Sequence, residues 1–263
     1  MKHKTVIILS LLILSASTFS QIATEINQTD SQGRKQGRWI RKYSSQNIMY
    51  EGTFKDDHPV GEFRRYFENK TLQAILVYSS DGKEADATIY HPNGFISAQG
   101  KYVNQMKEGK WKFYSSTVNG YLISEEEYTG NKRNGQSAGY FENGIVAERI
   151  NYINNVRQGE WLQYYPNGRL FLKTIYKDGM LNGKMEVWSE KGLIELSGYY
   201  KDNKRHGRWI VYKEDGSIKY ELDYTDGLTK DRQMEIDASE LIEKLEKNSG
   251  KILDPEKTEE IIR

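Results

Sequence analysis

The chain has no cysteine among its 263 residues, and it has few hydrophobic residues. Without thiols it cannot form disulfides, a thiolate nucleophile, a cysteine-based zinc site or the acylated cysteine of a lipoprotein. A hydrophobic fraction of 37% argues against one conventional globular core. Low hydrophobicity indicates disorder only when net charge is also high and aromatic residues are few. Here the net charge is +1 and 12% of the residues are aromatic, so we expect the chain to fold.

The chain also lacks an excess of charge of either sign, with 38 Lys+Arg residues against 37 Asp+Glu. A basic domain is the strongest sequence argument for nucleic-acid binding, so nucleic acid is not expected as a partner. A general attraction to anionic lipid would likewise need clustered Lys and Arg. Membrane or glycan contact therefore has no support from charge.

Residues 1–20 have the pattern of a secretory signal peptide. Lys2 and Lys4 precede an apolar run over residues 6–14, and small residues lead to Ser20. The run is too short to span a bilayer comfortably, although an uncleaved anchor is the alternative. We expect cleavage after Ser20 and a periplasmic or extracellular protein that is not a lipoprotein.

A repeat of 24 residues fills residues 37–227. Each unit opens with a small residue, and one step between successive openers is 26 residues long. Aromatic residues, a turn, an aliphatic residue and a closing aromatic residue follow at fixed offsets. The openers are Gly37, Gly61, Ala85, Gly109, Gly135, Gly159, Gly183 and Gly207.

The turns predict that each unit is one β-hairpin. Most units carry Asn-Gly or Asp-Gly between two short alternating segments, as at Asn93-Gly94, and such a hairpin turn needs positive φ at both residues. We therefore predict an all-β array, an elongated single-layer meander of eight hairpins and about 16 short strands. If the two turn residues are the whole loop, the opener pairs with the closing aromatic residue, whose ring then covers a glycine.

Alternation along the strands predicts one apolar face, which forms the core. The predicted core holds the residue two positions after the opener, the aliphatic residue after the turn and the closing tyrosine. These residues are Trp39, Phe63, Trp111, Trp161, Trp209, Ile48, Leu72, Ile96, Leu122, Val146, Leu170, Ile194, Ile218, Tyr102, Tyr152, Tyr176, Tyr200 and Tyr224. The third, fifth and seventh units depart from the pattern at Ala87, Ser137 and Met185.

The opposite, polar face carries a column of aromatic residues five positions after the openers. Its members are Tyr66, Tyr90, Tyr114, Tyr140, Tyr164, Trp188 and Tyr212. Tyrosine offers flat apolar area and a hydroxyl at low entropic cost, so the column is a candidate binding strip. The alternative is that neighbouring rings only stabilise the sheet, as cross-strand pairs do.

Residues 228–263 predict a helical C-terminal tail, and residues 21–36 are an N-terminal lead-in. A capping box runs from Asp237 to Glu240, and Leu241, Ile242 and Leu245 follow it. A helix of about 11 residues is about 16 Å long, so it covers three or four strands at most. We expect it to cap the last two hairpins.

The repeat resembles the MORN repeat, in the variant found in bacteria. The best match is residues 159–168, with Gly159, Trp161 and Tyr164 before the Asn167-Gly168 turn. The resemblance implies an elongated array of hairpins used for binding. Members of the bacterial group are often named YwqK-type antitoxins, whereas MORN arrays elsewhere are linked to membrane association and dimeric scaffolds.

The sequence shows no set of residues that predicts catalysis, a metal site or a cofactor. His58, His91 and His206 share no repeat position, and the acidic residues 125–127 alternate between faces. We predict a non-catalytic repeat scaffold that binds a protein partner, or a second copy of itself as a homodimer. The alternatives are neutralisation of a toxin and association with a membrane or cell-wall polymer.

Overall fold

The computed structural model of the protein describes residues 25–230, together with Ser239 and Glu240. The predicted signal peptide lies outside the described residues. So does the predicted C-terminal cap, apart from Ser239 and Glu240, whose backbone is helical. There is no helix between residues 25 and 230. The helical cap therefore stays a prediction.

The described part of the chain is a succession of β-strands. The first nine are β1 (Gln28–Thr29), β2 (Lys35–Lys42), β3 (Ile48–Lys55), β4 (His58–Tyr66), β5 (Leu72–Tyr78), β6 (Glu84–Tyr90), β7 (Ile96–Val103), β8 (Met106–Tyr114) and β9 (Leu122–Thr129). The next nine are β10 (Lys132–Tyr140), β11 (Val146–Ile153), β12 (Val156–Tyr164), β13 (Leu170–Lys177), β14 (Met180–Leu181), β15 (Gly183–Trp188), β16 (Ile194–Lys201), β17 (Lys204–Tyr212) and β18 (Ile218–Tyr224).

The strands form one open antiparallel sheet, in which each strand pairs with its neighbours along the chain. Strands β14 and β15 both pair with β13, so they are two parts of one strand that is interrupted at Asn182. The predicted meander of β-hairpins is confirmed.

The predicted pairing of each opener with the closing aromatic residue is also confirmed. It holds in all eight units, including the third, where Ala85 stands in place of glycine. The pairs are Gly37 with Phe54, Gly61 with Tyr78, Ala85 with Tyr102, Gly109 with Tyr128, Gly135 with Tyr152, Gly159 with Tyr176, Gly183 with Tyr200 and Gly207 with Tyr224.

The turns inside the units differ from the prediction. In the third unit the N–H of Gly94 donates to the carbonyl of His91, and the N–H of His91 donates to that of Phe95, both at 2.8 Å. Gly94 has a φ of 87°, but Asn93 is not in the positive region; its side chain accepts from the N–H of Phe95 at 3.1 Å. This is a three-residue loop, a type I turn followed by a left-handed glycine. The prediction that both residues have positive φ is therefore wrong.

Two-residue turns with positive φ at both positions occur between the units instead. Asn154 and Asn155 have φ values of 50° and 70°, and they join Ile153 to its partner Val156. The other such turns are Asp56-Asp57, Asn104-Gln105, Gly130-Asn131, Asp178-Gly179, Asp202-Asn203 and Asp226-Gly227. Asn and Asp tolerate this conformation better than other side chains. The sheet therefore has a unit edge, where three-residue loops predominate, and a link edge, where two-residue turns predominate. Residues 116–120 on the unit edge and 80–83 on the link edge form longer loops.

The core face is packed by large rings that lie on glycines of the preceding unit. A Cβ added to Gly100 would lie 2.3 Å from the ring of Trp111, and Gly198 and Trp209 have the same relation at 2.2 Å. Gly52 lies in the same way under Phe63. None of the glycine openers has an aromatic ring over it, so the prediction that the closing aromatic ring covers a glycine is wrong.

The packing of a large side chain against a small one also explains two of the units that depart from the repeat. Where Ala87 replaces the ring, it pairs with Leu76, and where Ser137 replaces it, the partner is Glu126. A small residue on one strand therefore faces a larger one on the strand before it. Each such pair fills roughly the same volume, as dense core packing requires.

The core is displaced by two residues from the prediction on the second strand of each hairpin. Leu172 lies opposite Gln163 in the predicted register, but a register shift after Gln163 skips Phe171, so that Leu170 pairs with Tyr164. The aliphatic residues after the turn are therefore only half-buried, and Ile218 is 46% exposed, so its assignment to the core is wrong. Trp39 and Trp161 are also half-buried. The sequence prediction missed the buried residues Ala74, Leu76, Ile89, Ala98, Phe113, Val187, Leu196 and Val211.

The N-terminal lead-in closes the first edge of the array. The indole N–H of Trp39 donates to the carbonyl of Gln28 on β1 at 3.1 Å. Trp111 and Trp209 donate at the same distance to carbonyls of the preceding unit. The N–H of Ile40 also donates to the side-chain oxygen of Asn27 at 2.8 Å. Strand β1 thus takes the place of a preceding unit.

Asp30 holds this lead-in together, and it makes the lead-in sensitive to acid. Desolvation alone would raise the pKa of Asp30, but hydrogen bonds from Arg34, Gln32 and Gln36 lower it from 3.8 to about 2. The folded pKa is below the unfolded one, so the stabilisation is present above about pH 4 and is lost toward pH 2. We expect the protection of the Ile40 amide from hydrogen exchange to fall over this range. Asp30→Asn should remove that pH dependence, and an unchanged pH profile in the variant would contradict the assignment.

Candidate functional site

The tyrosine column, defined as Tyr66, Tyr90, Tyr114, Tyr140, Tyr164, Trp188 and Tyr212, lies at the unit-edge end of the first strand of each hairpin from the second unit onward. All seven residues are half-buried. Consecutive members are two strands apart, or about 9.6 Å at the usual strand spacing. The column is therefore a strip on the order of 60 Å long.

Four of the hydroxyls in the column are fixed by the preceding unit. Their partners lie on the neighbouring strand, so each ring leans across from its own unit to the one before it. Tyr66 donates to Glu51 at 2.9 Å, Tyr114 to Gln99 at 3.0 Å and Tyr140 to Glu125 at 3.2 Å, and Tyr212 lies 3.3 Å from the hydroxyl of Ser197. These bonds hold the rings in one orientation and connect the units across the polar face.

The two tyrosines of the column that donate to glutamates, Tyr66 and Tyr140, have raised pKa values, so their hydroxyls stay neutral. Burial raises the pKa of Tyr66, and the neighbouring carboxylate of Glu51 raises it further. Burial followed by the charge of Glu125 raises the pKa of Tyr140 in the same way. Conversely, hydrogen bonds from Arg38 and then Tyr66 lower the pKa of Glu51. Tyr66 and Tyr140 are therefore neutral rings whose hydroxyls donate to carboxylates.

Two tyrosines of the column are free to interact with a partner through their hydroxyls. Within the described residues, the hydroxyls of Tyr90 and Tyr164 have no hydrogen-bond partner, and neither has the indole N–H of Trp188. The strand positions that hold Glu51 or Gln99 in other units are occupied by Ile75 and Arg149 before Tyr90 and Tyr164. The sequence contained this signal, but it is visible only once the register is known.

The charges around the column are largely compensated. Arg38 lies 3.0 Å from Glu51 across the strands, and Arg64 lies 2.6 Å from Glu62. These four side chains line a shallow depression of about 270 Å³ near the N-terminal end of the array. Further pairs on this face are Lys110 with Glu125, Lys173 with Glu160, and Arg208 with Glu221. The surface therefore offers aromatic area among paired charges.

No catalytic constellation is brought together among the described residues. They contain no group of three or more His, Cys, Asp and Glu side chains that could hold a metal ion. His58 and His206 are exposed on separate strands, and a ring nitrogen of His91 lies 3.2 Å from the carbonyl of Tyr114. In the acidic run, Glu126 is buried and accepts from the hydroxyl of Tyr128 at 2.7 Å, while its neighbours face the other side.

Three segments of the chain match the family model described as MORN repeat variant, at residues 133–154, 157–178 and 205–226. They coincide with the fifth, sixth and eighth units. The chain therefore contains MORN repeat variants at these three positions, while the narrower YwqK-type assignment stays a prediction. None of the curated proteins matches the chain. Within the described ranges, no helix has the length and hydrophobicity needed to cross a membrane.

Among solved structures, the chain is similar to parts of much longer chains. One is in the crystal structure of TcdB2-TccC3-TEV, at 15% identity over 76% of this chain and 13% of that chain, with a TM-score of 0.20. Another is in the Tc holotoxin pore of Photorhabdus luminescens, at 15% identity over 71% of this chain and 11% of that chain, with a TM-score of 0.18. This chain thus spans a small fraction of either, and we draw no functional conclusion from TM-scores this low.

Proposed function

We propose that this protein is an exported, non-catalytic repeat scaffold that binds a protein partner, or a second copy of itself, through the tyrosine column. The observation that carries the proposal is the column itself, a strip of half-exposed aromatic rings at a constant spacing on one face of a single sheet. Aromatic residues dominate the energetics of protein interfaces, and rings that are already ordered lose little entropy on binding. The MORN repeat variants at three positions support a scaffold or binding role.

We infer export from the signal-peptide pattern of residues 1–20. We infer a non-catalytic role from the surface, which is a strip of aromatic rings among paired charges. Neutralisation of a toxin and binding of a membrane or cell-wall polymer stay predictions, since no residue of the described surface favours either. A partner should therefore be sought in the envelope or outside the cell.

The free positions of the column give the sharpest test. A photo-crosslinking residue at position 90 or 164 should capture the partner in intact cells. With the purified partner, the double variant Tyr90→Ala, Tyr164→Ala should then lose about tenfold or more in affinity, because each alanine removes a ring at the centre of the strip. Isothermal calorimetry or surface plasmon resonance would measure the loss.

Two controls separate ring contact from general damage. Tyr199 is 51% exposed on the same face but outside the column, so Tyr199→Ala should leave the affinity unchanged. The double variant Tyr90→Phe, Tyr164→Phe keeps the rings and should retain most of the binding. If the double alanine variant bound as tightly as the wild type, the column would not be the binding surface.

A further inference from the structure

Two successive steps of the tyrosine column depart from the hydrogen bonding that most of its tyrosines share. In four units the hydroxyl of the column lies beside a side chain of the preceding unit that can accept its proton, namely Glu51, Gln99, Glu125 or Ser197. Arg149 holds this position before Tyr164, and Lys173 holds it before Trp188. Arginine, lysine and the indole ring carry donors and no acceptor. At these two steps both strands therefore present donors.

The register of the sheet is the same at these steps as in the other units. The acceptor Glu125 pairs with Ala138, which lies two residues before the tyrosine of its unit. Arg149 pairs with Leu162, which lies two residues before Tyr164. The chemistry of the pair has therefore changed from donor and acceptor to two donors, while its place in the sheet has not.

The four donors surround Leu162 on the polar face, and we call Arg149, Tyr164, Lys173 and Trp188 the donor cluster. Leu162 pairs with Arg149 on one side and with Lys173 on the other. The members lie on β11, β12, β13 and β15, which are neighbours in the sheet, so the cluster spans about 14 Å. It is therefore small enough for one segment of a partner to cover.

Arg149 is exposed, and its charge is not compensated within residues 25–230. It has no ion-pair partner there, and both of its strand neighbours, Ala138 and Leu162, are uncharged. Eight other basic side chains between the openers and the tyrosine column do form ion pairs with carboxylates. They are Arg38, Arg64, Lys101, Lys110, Lys112, Lys173, Lys184 and Arg208.

The carboxylate beyond Ala138 does not serve Arg149. Glu125 is already paired with Lys110 at 3.5 Å and with Lys112 at 3.6 Å. Within the donor cluster, Lys173 is likewise held by Glu160 at 2.5 Å. Arg149 is therefore the member of the cluster whose charge is open to a ligand.

We propose that the donor cluster binds an acidic side chain of the protein partner, with Arg149 holding both carboxylate oxygens and the Tyr164 hydroxyl donating to one of them. The guanidinium group matches a carboxylate in shape, and hydrogen bonds between charged groups are the strongest in proteins. Trp188 offers its indole N–H to the same acidic segment. This inference rests on the proposed function, since it takes the partner to lie along the tyrosine column.

The balance of charge favours a carboxylate over a phosphate group. A phosphate group carries up to two negative charges, and proteins recognise it with clusters of arginines. In the donor cluster Lys173 is already paired, which leaves the single charge of Arg149. A single charge matches the single charge of an aspartate or glutamate side chain.

A short acidic peptide tests the site without the natural partner. A peptide of four glutamates with both ends blocked should shift the NMR signals of the Arg149 Nε–H and the Trp188 indole N–H in the purified protein, and a peptide of four glutamines should not. Arg149→Gln should weaken the binding of the glutamate peptide about tenfold or more, because it removes a charged hydrogen-bond donor. Added salt should weaken the binding as well, since an exposed ion pair is screened.

Two variants serve as controls. Arg208→Gln removes a cation of the same face that is paired with Glu221, so it should leave peptide binding unchanged. Arg149→Glu restores the donor–acceptor pair that Tyr140 makes with Glu125, so it should abolish peptide binding without lowering the urea midpoint of unfolding. Unmoved Arg149 signals, an equal loss with Arg208→Gln, or displacement of the peptide by an equal concentration of inorganic phosphate would each overturn the assignment.

The purified partner separates this inference from the proposed function. If alanine at positions 90 and 164 weakened partner binding but Arg149→Gln did not, the tyrosine column would be the binding surface and the acidic contact would be wrong. If the glutamate peptide bound at Arg149 but the double alanine variant kept its full affinity for the partner, the proposed function alone would fail.

Discussion

Trp111→Ala is expected to lower the free energy of unfolding by about 3–5 kcal/mol, the usual cost of removing a large buried aromatic side chain. Trp111 has no exposed surface, and its ring lies on Gly100, so no side chain beneath it can move in to fill the space. The substitution also leaves the carbonyl of Lys101 without the indole N–H, which donates to it at 3.1 Å. Urea unfolding monitored by circular dichroism would measure the loss.

A neighbouring substitution on the polar face provides the comparison for Trp111. Tyr114→Phe keeps the ring and removes only the hydroxyl that donates to Gln99 at 3.0 Å. We expect this change to cost about 1 kcal/mol, since a single partly buried hydrogen bond contributes that much. Similar losses for both variants would show that the two faces do not differ in burial as the structure has them.

Gly100→Leu is expected to destabilise the wild-type chain by about 3 kcal/mol, because the new side chain enters the space of the Trp111 ring. A Cβ alone would lie 2.3 Å from that ring. The backbone of Gly100 does not have positive φ, so the cost comes from overpacking and not from backbone strain.

In the double variant Gly100→Leu, Trp111→Ala, we expect at least half of the stability lost by the two single variants to return. The variant then has leucine and alanine at these two positions, as the wild type has Leu76 and Ala87, which pair between the second and third units of the same array. The sum of the single losses would be about 7 kcal/mol, so a double-mutant cycle resolves the coupling easily. Additive losses would contradict the inference that a small residue at one of these two positions packs against a large residue at the other.

The eight-unit hairpin array was predictable from the sequence because every unit repeats the same local signals. Glycine or asparagine in turns and alternation of apolar residues act over a few residues, so they are readable without the fold. The pairing of Gly159 with Tyr176 followed from the spacing alone. Basic residues such as Arg157 recur two positions before the openers, but the contact of Arg157 with the ring of Tyr176 was not visible in the sequence.

The predicted tyrosine column was found on one strip, yet its division into bound and free hydroxyls was not predictable. Tyr66 and Tyr164 occupy the same repeat position, and only the residue on the preceding strand distinguishes them: Glu51 for the first and Arg149 for the second. That neighbour is 15 residues away for both, so it becomes a neighbour only through the register of the sheet.

The sequence by itself determined the number of hairpins, their order and the pairing at the openers, because these depend on local conformational preferences that repeat along the chain. The sequence also indicated core residues such as Trp111 and Tyr102, which are buried, whereas only the tertiary structure decided which aliphatic residues join them and which glycines lie under rings. A three-residue loop with one left-handed glycine skips Phe171 in the pairing, so that Leu170 pairs with Tyr164, and Leu172 and not Leu170 is buried. Such a shift depends on hydrogen bonds between strands, and a short sequence motif compatible with two kinds of turn does not specify them.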